Sequence, residues 1–233
     1  MAISVDSPGA HSNDSALAGR PVTCWNGRLI DIAAWRTSEQ VSSDCDAQMD
    51  LRPQVVLERA RDAVGPFGLR HLVVGVIGPR AASERQEHLA LEIGRLLGAL
   101  SVTTICGGRS GVMEAVSRGV YEAGGLSIGI LPDHGPETAN PFVSIPLPTG
   151  LSEGRNMVIA RAARVLIAVG GSYGTLTEMA YGLHFGKVVI ALDDAPEIDG
   201  LTRVATTAEA IEACCAALLR QAEAAPPLVS SSS

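Results

Sequence analysis

The chain has 233 residues, of which 46% are hydrophobic and only 3% aromatic, and its formal net charge is −7 at pH 7. That length allows one medium domain with appendages around a substantial core, and the aliphatic, glycine-rich bias matches a buried parallel sheet covered by helices. The acidic balance argues against a phosphate-tracking nucleic-acid surface, and no apolar stretch nears the roughly 18 residues of a membrane span.

The opening MAISVDSPGAHSNDSALAGR lacks a basic start followed by an apolar core, so it does not read as a secretory signal. Five cysteines (Cys24, Cys45, Cys106, Cys214 and Cys215) show no metal spacing. Their odd number reads as reduced thiols and a cytoplasmic protein. Of the 18 basic residues, Lys187 is the only lysine.

In chain order, residues 1–20 read as disordered. Asn26-Gly27 between two apolar runs predicts a tight hairpin. Residues 37–50 read as a linker, and PQVVLERARDAV (53–64) as a helix with proline at its first position. Residues 1–70 together form an N-terminal extension. Its Trp25 and Trp35 suit either a docking module or a small hydrophobic cap over the core. From residue 71 strands and helices alternate, with strands at 71–78, 102–108, 126–132, 143–148, 165–171 and 187–193. The helices between and after them fall at 83–100, capped by Ser83, then 111–124, 152–163, 174–185 and 207–222. Residues 224–233 read as a disordered tail. This alternation predicts an α/β protein with a doubly wound parallel sheet and helices on both faces. Ligands of such sheets sit outside the carboxyl ends of the strands, where strand order reverses.

Two strand-to-helix junctions share one design, ICGGRSGVMEA (105–115) and AVGGSYGTLTEMA (168–180). Each sets Gly-Gly at a strand end and a third glycine at a helix start. Without Cβ atoms such a loop exposes consecutive N–H groups, and the helix start adds partial positive charge, a combination that receives phosphate. The expected binding residues are Gly107, Gly108, Gly111 and Met113 in the first junction. In the second they are Gly170, Gly171, Ser172, Tyr173, Gly174 and Thr175, with Asn156 bonding either substrate or backbone.

Neither junction is a P-loop, which needs a lysine, and the GxGxxG dinucleotide fingerprint is absent. Lys187 falls at the opposite end of the sheet, which excludes pyridoxal-phosphate chemistry. Arg155 starts the helix before the second glycine strand and Glu178 lies in the helix after it, 23 residues on. The two should meet at one sheet edge, either as a structural ion pair or as groups beside the ligand's sugar. Arg109 could touch phosphate or point to water. Glu114, Glu137, Asn140 and His134 are weaker candidates.

GGRSGVMEAVSRGVYEAGG, the ANPF…PTG…GRN segment and GGSYGTLTEMAYGLHFGK together resemble the lysine-decarboxylase-like proteins over about residues 72–222. That family includes the LONELY GUY phosphoribohydrolases and the molybdenum cofactor carrier proteins. The resemblance implies a Rossmann-like fold, a homodimer or higher homo-oligomer, and a small-molecule ligand, AMP-like or pterin-like. Charge, hydropathy and cysteine spacing lead to the expectation of no nucleic acid, no membrane and no metal, and the chemistry considered needs no cofactor. In the phosphoribohydrolase signature an arginine precedes the glutamate of PGGxGTxxE by 23 residues. Arg155 and Glu178 fall on those positions, and Gly171, Gly174 and Thr175 match the phosphate loop. The signature proline is Gly170 here, and the usual lysine after the arginine is Asn156. Both departures resemble the carrier branch.

The leading expectation is hydrolysis of the N-glycosidic bond of a nucleoside 5′-monophosphate, with Arg155 and Glu178 catalytic. Glu178 would stabilise the oxocarbenium charge and activate water. The alternative is a carrier without chemistry that uses the same loops.

Overall fold

The computed structural model describes residues 22–25, 28–31, 35–37, 52–64 and 69–224. The expected disordered leader, the expected tail but for Ala224, and all of the expected linker but Thr37 lie outside these residues.

At the N-terminal end, β1 (Val22–Trp25) and β2 (Arg28–Asp31) pair antiparallel, with Trp25 opposite Arg28. That register leaves two residues for the connection, as a hairpin at Asn26-Gly27 requires. A two-residue strand, β3 (Arg36–Thr37), completes this small sheet. It had no apolar alternation to announce it. Next comes α1 (Pro53–Val64), with proline at the first helical position, where a missing N–H costs nothing.

The main sheet begins with β4 (Val73–Ile77), followed by α2 (Glu84–Ala99), β5 (Thr103–Cys106), α3 (Val112–Glu122), β6 (Leu126–Leu131) and β7 (Ile145–Pro148). It continues through α4 (Arg155–Ala162), β8 (Val165–Val169), α5 (Tyr173–His184), β9 (Val188–Leu192), β10 (Thr202–Arg203) and α6 (Thr207–Ala224). All seven strands are parallel, in the order β10-β9-β8-β4-β5-β6-β7. The short edge strand β10 was not expected from the sequence.

β8 explains why a central strand reads as an unbroken apolar run, since all five of its residues are buried. Val165, Ile167 and Val169 pack into one hydrophobic cluster with α1, α2, α3 and α6. Leu166 and Ala168 face the opposite cluster, with Ile159 of α4 and Met179 of α5. Helices thus cover both faces, as a doubly wound sheet demands. Local signals set the helix ends. Ser83 accepts from the Gln86 N–H while the Gln86 side chain accepts from the Ser83 N–H, a capping box that starts α2.

The N-terminal elements join the α1–α6 side of the core. Trp35 is buried, and its indole N–H donates to the Leu218 carbonyl of α6 at 3.2 Å. Ile30, Trp35, Leu57 and Ala60 share the cluster with Leu218. Trp35 therefore faces inward, as a cap over the core would require, and is not presented to a partner. We predict that Trp35→Ala lowers the unfolding free energy by about 3–5 kcal/mol in chemical denaturation. A loss under about 1 kcal/mol would mean that the extension is not anchored through this ring.

Candidate functional site

From β4 the chain winds outward through β5, β6 and β7, then returns to lay β8 on the other side of β4 and continues to β9. The segments leaving β4 and β8 therefore diverge, and a crevice opens where the strand order reverses. It holds a cavity of about 220 Å³.

Eight of the residues expected from the sequence line that cavity: Gly107, Met113, Arg155, Asn156, Ser172, Gly174, Thr175 and Glu178. Five do not. Tyr173 opens α5 but its side chain is 90% exposed, so its ring points to solvent. Gly108 turns the first loop with φ +71°, and its carbonyl accepts from the Asn140 N–H at 2.8 Å. Gly111 caps α3 and borders a neighbouring cleft. Gly171 is pressed against Pro196, and Gly170 stands where any Cβ would strike the Gln86 amide and the Asp194 carboxylate. These four glycines shape the loops and do not face the cavity.

The cavity is also lined by Ile77, Gly78 and Arg80 after β4, by Pro132 after β6, and by Ser152 and Glu153 just before α4. Sequence reasoning missed them. The signal was available for Arg80, since the strand HLVVGVIG runs directly into Pro79-Arg80 at the reversal point. Ser152 and Glu153 form a 3-10 turn that leads into Arg155, which their sequence does not advertise. Arg109 lines the cavity and pairs with Asp133 at 3.2 Å. Asn140, a weak candidate, is buried and donates to the Arg109 carbonyl at 3.0 Å, so it braces the first loop. Glu114 borders the neighbouring cleft.

Asn156 lines the cavity and also bonds to the protein. Its amide donates to Thr177 Oγ1 at 3.1 Å and to the Gly174 carbonyl at 3.4 Å, while the Thr177 hydroxyl donates to that carbonyl at 2.7 Å. It holds the first turn of α5 in place. That turn is otherwise uncapped, because Ser172 makes no side-chain hydrogen bond to it. Its first amides are thus left for another acceptor. The Thr175 hydroxyl, on a residue only 1% exposed, also has no partner among the described residues.

Arg155 and Glu178 meet as the 23-residue spacing suggested, Nη1 to Oε1 at 3.5 Å, both buried. The guanidinium lies close against Gly107, where a Cβ would collide with it and with the Met113 sulfur. The close approach explains a glycine at that strand end. Burial pushes the Glu178 carboxyl up to about 7, only partly opposed by Arg155. Burial also lowers the Arg155 pKa, against the pull of Glu178. The guanidinium remains charged at neutral pH. Glu178 therefore changes charge near neutrality at the wall of a cavity. Cys106 beside them is fully buried and its pKa is raised by that burial. Its sulfur accepts from the Gly108 N–H at 3.3 Å, which makes it a brace for the first loop. Among the described residues no cluster of His, Cys, Asp and Glu could hold a metal ion, and no helix is long and apolar enough to cross a membrane.

Such a cavity offers uncapped helix amides, a free hydroxyl and guanidinium groups to an anion, beside a carboxyl whose pKa burial raises to about 7. Known proteins share this framework. A protein from Archaeoglobus fulgidus is 35% identical over 146 residues, which span 63% of this chain and 96% of that one. The molybdenum cofactor binding protein from Rippkaea orientalis is 30% identical with a TM-score of 0.59, over 62% of this chain and 96% of its own. The molybdenum cofactor carrier protein from Chlamydomonas reinhardtii is 34% identical with a TM-score of 0.58, over 63% and 98%. The model of the SLOG cluster4 family matches residues 71–222, which cover the seven-stranded sheet, α2 to α5, all but the end of α6 and every residue lining the cavity. The chain belongs to the SLOG cluster4 family.

Proposed function

We propose that this chain binds a small phosphomonoester bearing a flat heterocycle, and that it serves as a carrier of a phosphorylated pterin such as the molybdenum cofactor. The observation that carries this reading is the start of α5. An uncapped first turn and the unpartnered Thr175 hydroxyl meet at one cavity. Free N–H groups, a helix dipole and a hydroxyl donor together match the acceptor oxygens of a phosphate. The pterin comes from the solved carrier proteins, which match this chain over nearly their full length.

The test is to express the chain in a host that makes the cofactor and to assay the purified protein for pterin fluorescence and molybdenum. About one pterin per chain is expected, falling at least severalfold in Thr175→Val as one hydrogen bond to a charged group is lost. Protein that is pterin-free in both forms would rule out the carrier role.

A second reading, N-glycosidic hydrolysis of a nucleoside 5′-monophosphate, is favoured by Glu178 alone. A carboxyl that titrates near 7 beside a bound sugar can act as a base toward water and as a carboxylate toward oxocarbenium charge. Arg155 holds that carboxylate in position. If the chain is a hydrolase, incubation with AMP, GMP or CMP releases free base, and Glu178→Gln lowers the rate by about 10²-fold or more. Equal background release from both proteins would remove this reading and leave the carrier.

The Glu178 titration also sets a pH dependence. Below about 7 the carboxyl is neutral and the cavity more positive; above it a negative charge faces the ligand. Affinity for a phosphomonoester should therefore fall as pH rises from 6.5 to 8.5, above the phosphate's own titration. Glu178→Gln should remove that part of the decline. A wild-type profile as flat as that of the variant would show that Glu178 does not titrate in this range.

A further inference from the structure

The cavity has three guanidinium groups in its walls, and two of them are already engaged. Arg155 is paired with Glu178, and Arg109 with Asp133. Glu153 adds a carboxylate that has no ion-pair partner among the described residues. Without another cation the lining would be neutral once Glu178 ionises, and net negative with Asp133, the partner of Arg109, counted beside it, so nothing there would balance a phosphate dianion. Arg80 supplies that cation. Its side chain is exposed, and among the described residues it makes no ion pair and no side-chain hydrogen bond. Yet its charge reaches far enough into the cavity to disfavour protonation of Arg155.

We infer that Arg80 is a ligand-binding residue of this site, the guanidinium that closes over the phosphate whose inner oxygens meet Thr175 and the start of α5. This inference rests on the phosphomonoester reading and names the side chain that makes it electrostatically possible. The backbone makes the position a fixed one. The Pro79 carbonyl accepts from the Val112 N–H at 3.2 Å and the Arg80 carbonyl from the Ser110 hydroxyl at 3.4 Å, tying the segment to the start of α3. Arg80 thus stands on a braced segment with a free head group, whose planar fork is available to grip a phosphate.

Two further clefts border Arg80, and their charges direct an anion away from them. One is lined by Asp193 and Asp194, the other by Glu84, Glu87 and Glu114 beside His88 and Arg118. The cleft at the start of α3 also joins Arg80 to a helix start without a side-chain cap, but it carries three carboxylates; the cavity at Thr175 joins Arg80 to the uncapped start of α5 and an unpartnered hydroxyl. Arg80 therefore sets which end of the ligand enters, phosphate inward, and selects phosphorylated molecules over their dephosphorylated forms.

The test is calorimetric titration of the full chain with GMP and with guanosine, in phosphate-free buffer at pH 7. GMP carries the same amino-oxo pyrimidine edge as a pterin and is stable enough to weigh. Wild type is expected to bind GMP at least about tenfold more tightly than guanosine, and Arg80→Ala to lose most of that ratio by weakening GMP alone. Arg80→Lys, which keeps the charge but not the fork, should recover part of it. Glu153→Gln should hold GMP as tightly as wild type or more so. If Arg80→Ala keeps the wild-type preference for GMP, or weakens GMP and guanosine alike, the assignment of Arg80 is overturned while the phosphomonoester reading stands. If wild type itself does not prefer GMP, both are overturned.

Discussion

The site is organised around a buried ion pair that is held under tension by its surroundings. Taking a guanidinium and a carboxylate out of water is expensive, and a single contact at 3.5 Å between Arg155 and Glu178 offsets only part of that cost. The remainder is visible in Glu178, whose proton affinity is raised although a cation sits beside it. A pair of this kind adds little to stability, yet removing either partner would strand a buried charge at a cost of about 3–5 kcal/mol. Its value lies in position. Gly107 gives way so that the guanidinium can lie against the end of β5, and α4 and α5 converge so that the carboxylate can reach it. The cavity is the space left over that pair by two strands that diverge at the reversal of the sheet.

The two departures from the phosphoribohydrolase signature each have a structural use. With asparagine in place of lysine, residue 156 donates its amide to Thr177 and the Gly174 carbonyl at the cavity wall. The start of α5 is thereby fixed by a neutral amide, and one cation is removed from the cavity wall. With glycine in place of proline, residue 170 adopts φ +60° and leaves room for the Gln86–Asp194 hydrogen bond of 2.7 Å. Gln86 is itself part of the capping box of α2, so the start of that helix is tied to the segment after β9, and both pack against Gly170 of the second glycine loop. A site that has exchanged a cation for a brace is better suited to holding a ligand than to driving charge separation in it. This is why the carrier reading stands ahead of hydrolysis, and why the remaining unpaired cation at Arg80 matters.

Much of this was legible in the sequence because its signals were local or periodic. Strands buried on both faces read as apolar runs, Ser83 and Gln86 mark the start of α2, and Gly124 with φ +69° ends α3 where its glycine pair predicted. The Arg155–Glu178 contact followed from topology, since the start of a helix and the end of the following strand share an edge. What could not be read was the direction of each glycine. Gly107 and Gly108 are adjacent, yet one lines the cavity and the other faces Leu131 and Gly129 behind it. Tyr173 looked like a binding residue because of its neighbours in sequence, but the first turn of α5 throws its side chain outward. Arg80 escaped notice for the opposite reason, because the loop that carries it contains no motif. Two-residue strands such as β3 and β10 have too few side chains to show a period, and only the sheet beside them defines them.

The claim on which the account depends is that α5 begins at an anion. A crystal structure of the chain with GMP bound tests it most directly. The account predicts phosphate density within hydrogen-bond distance of Thr175 Oγ1 and the amides of Gly174 and Thr175, with the Arg155–Glu178 pair beneath it. Phosphate bound elsewhere, with the first turn of α5 left facing only protein or solvent, would contradict it.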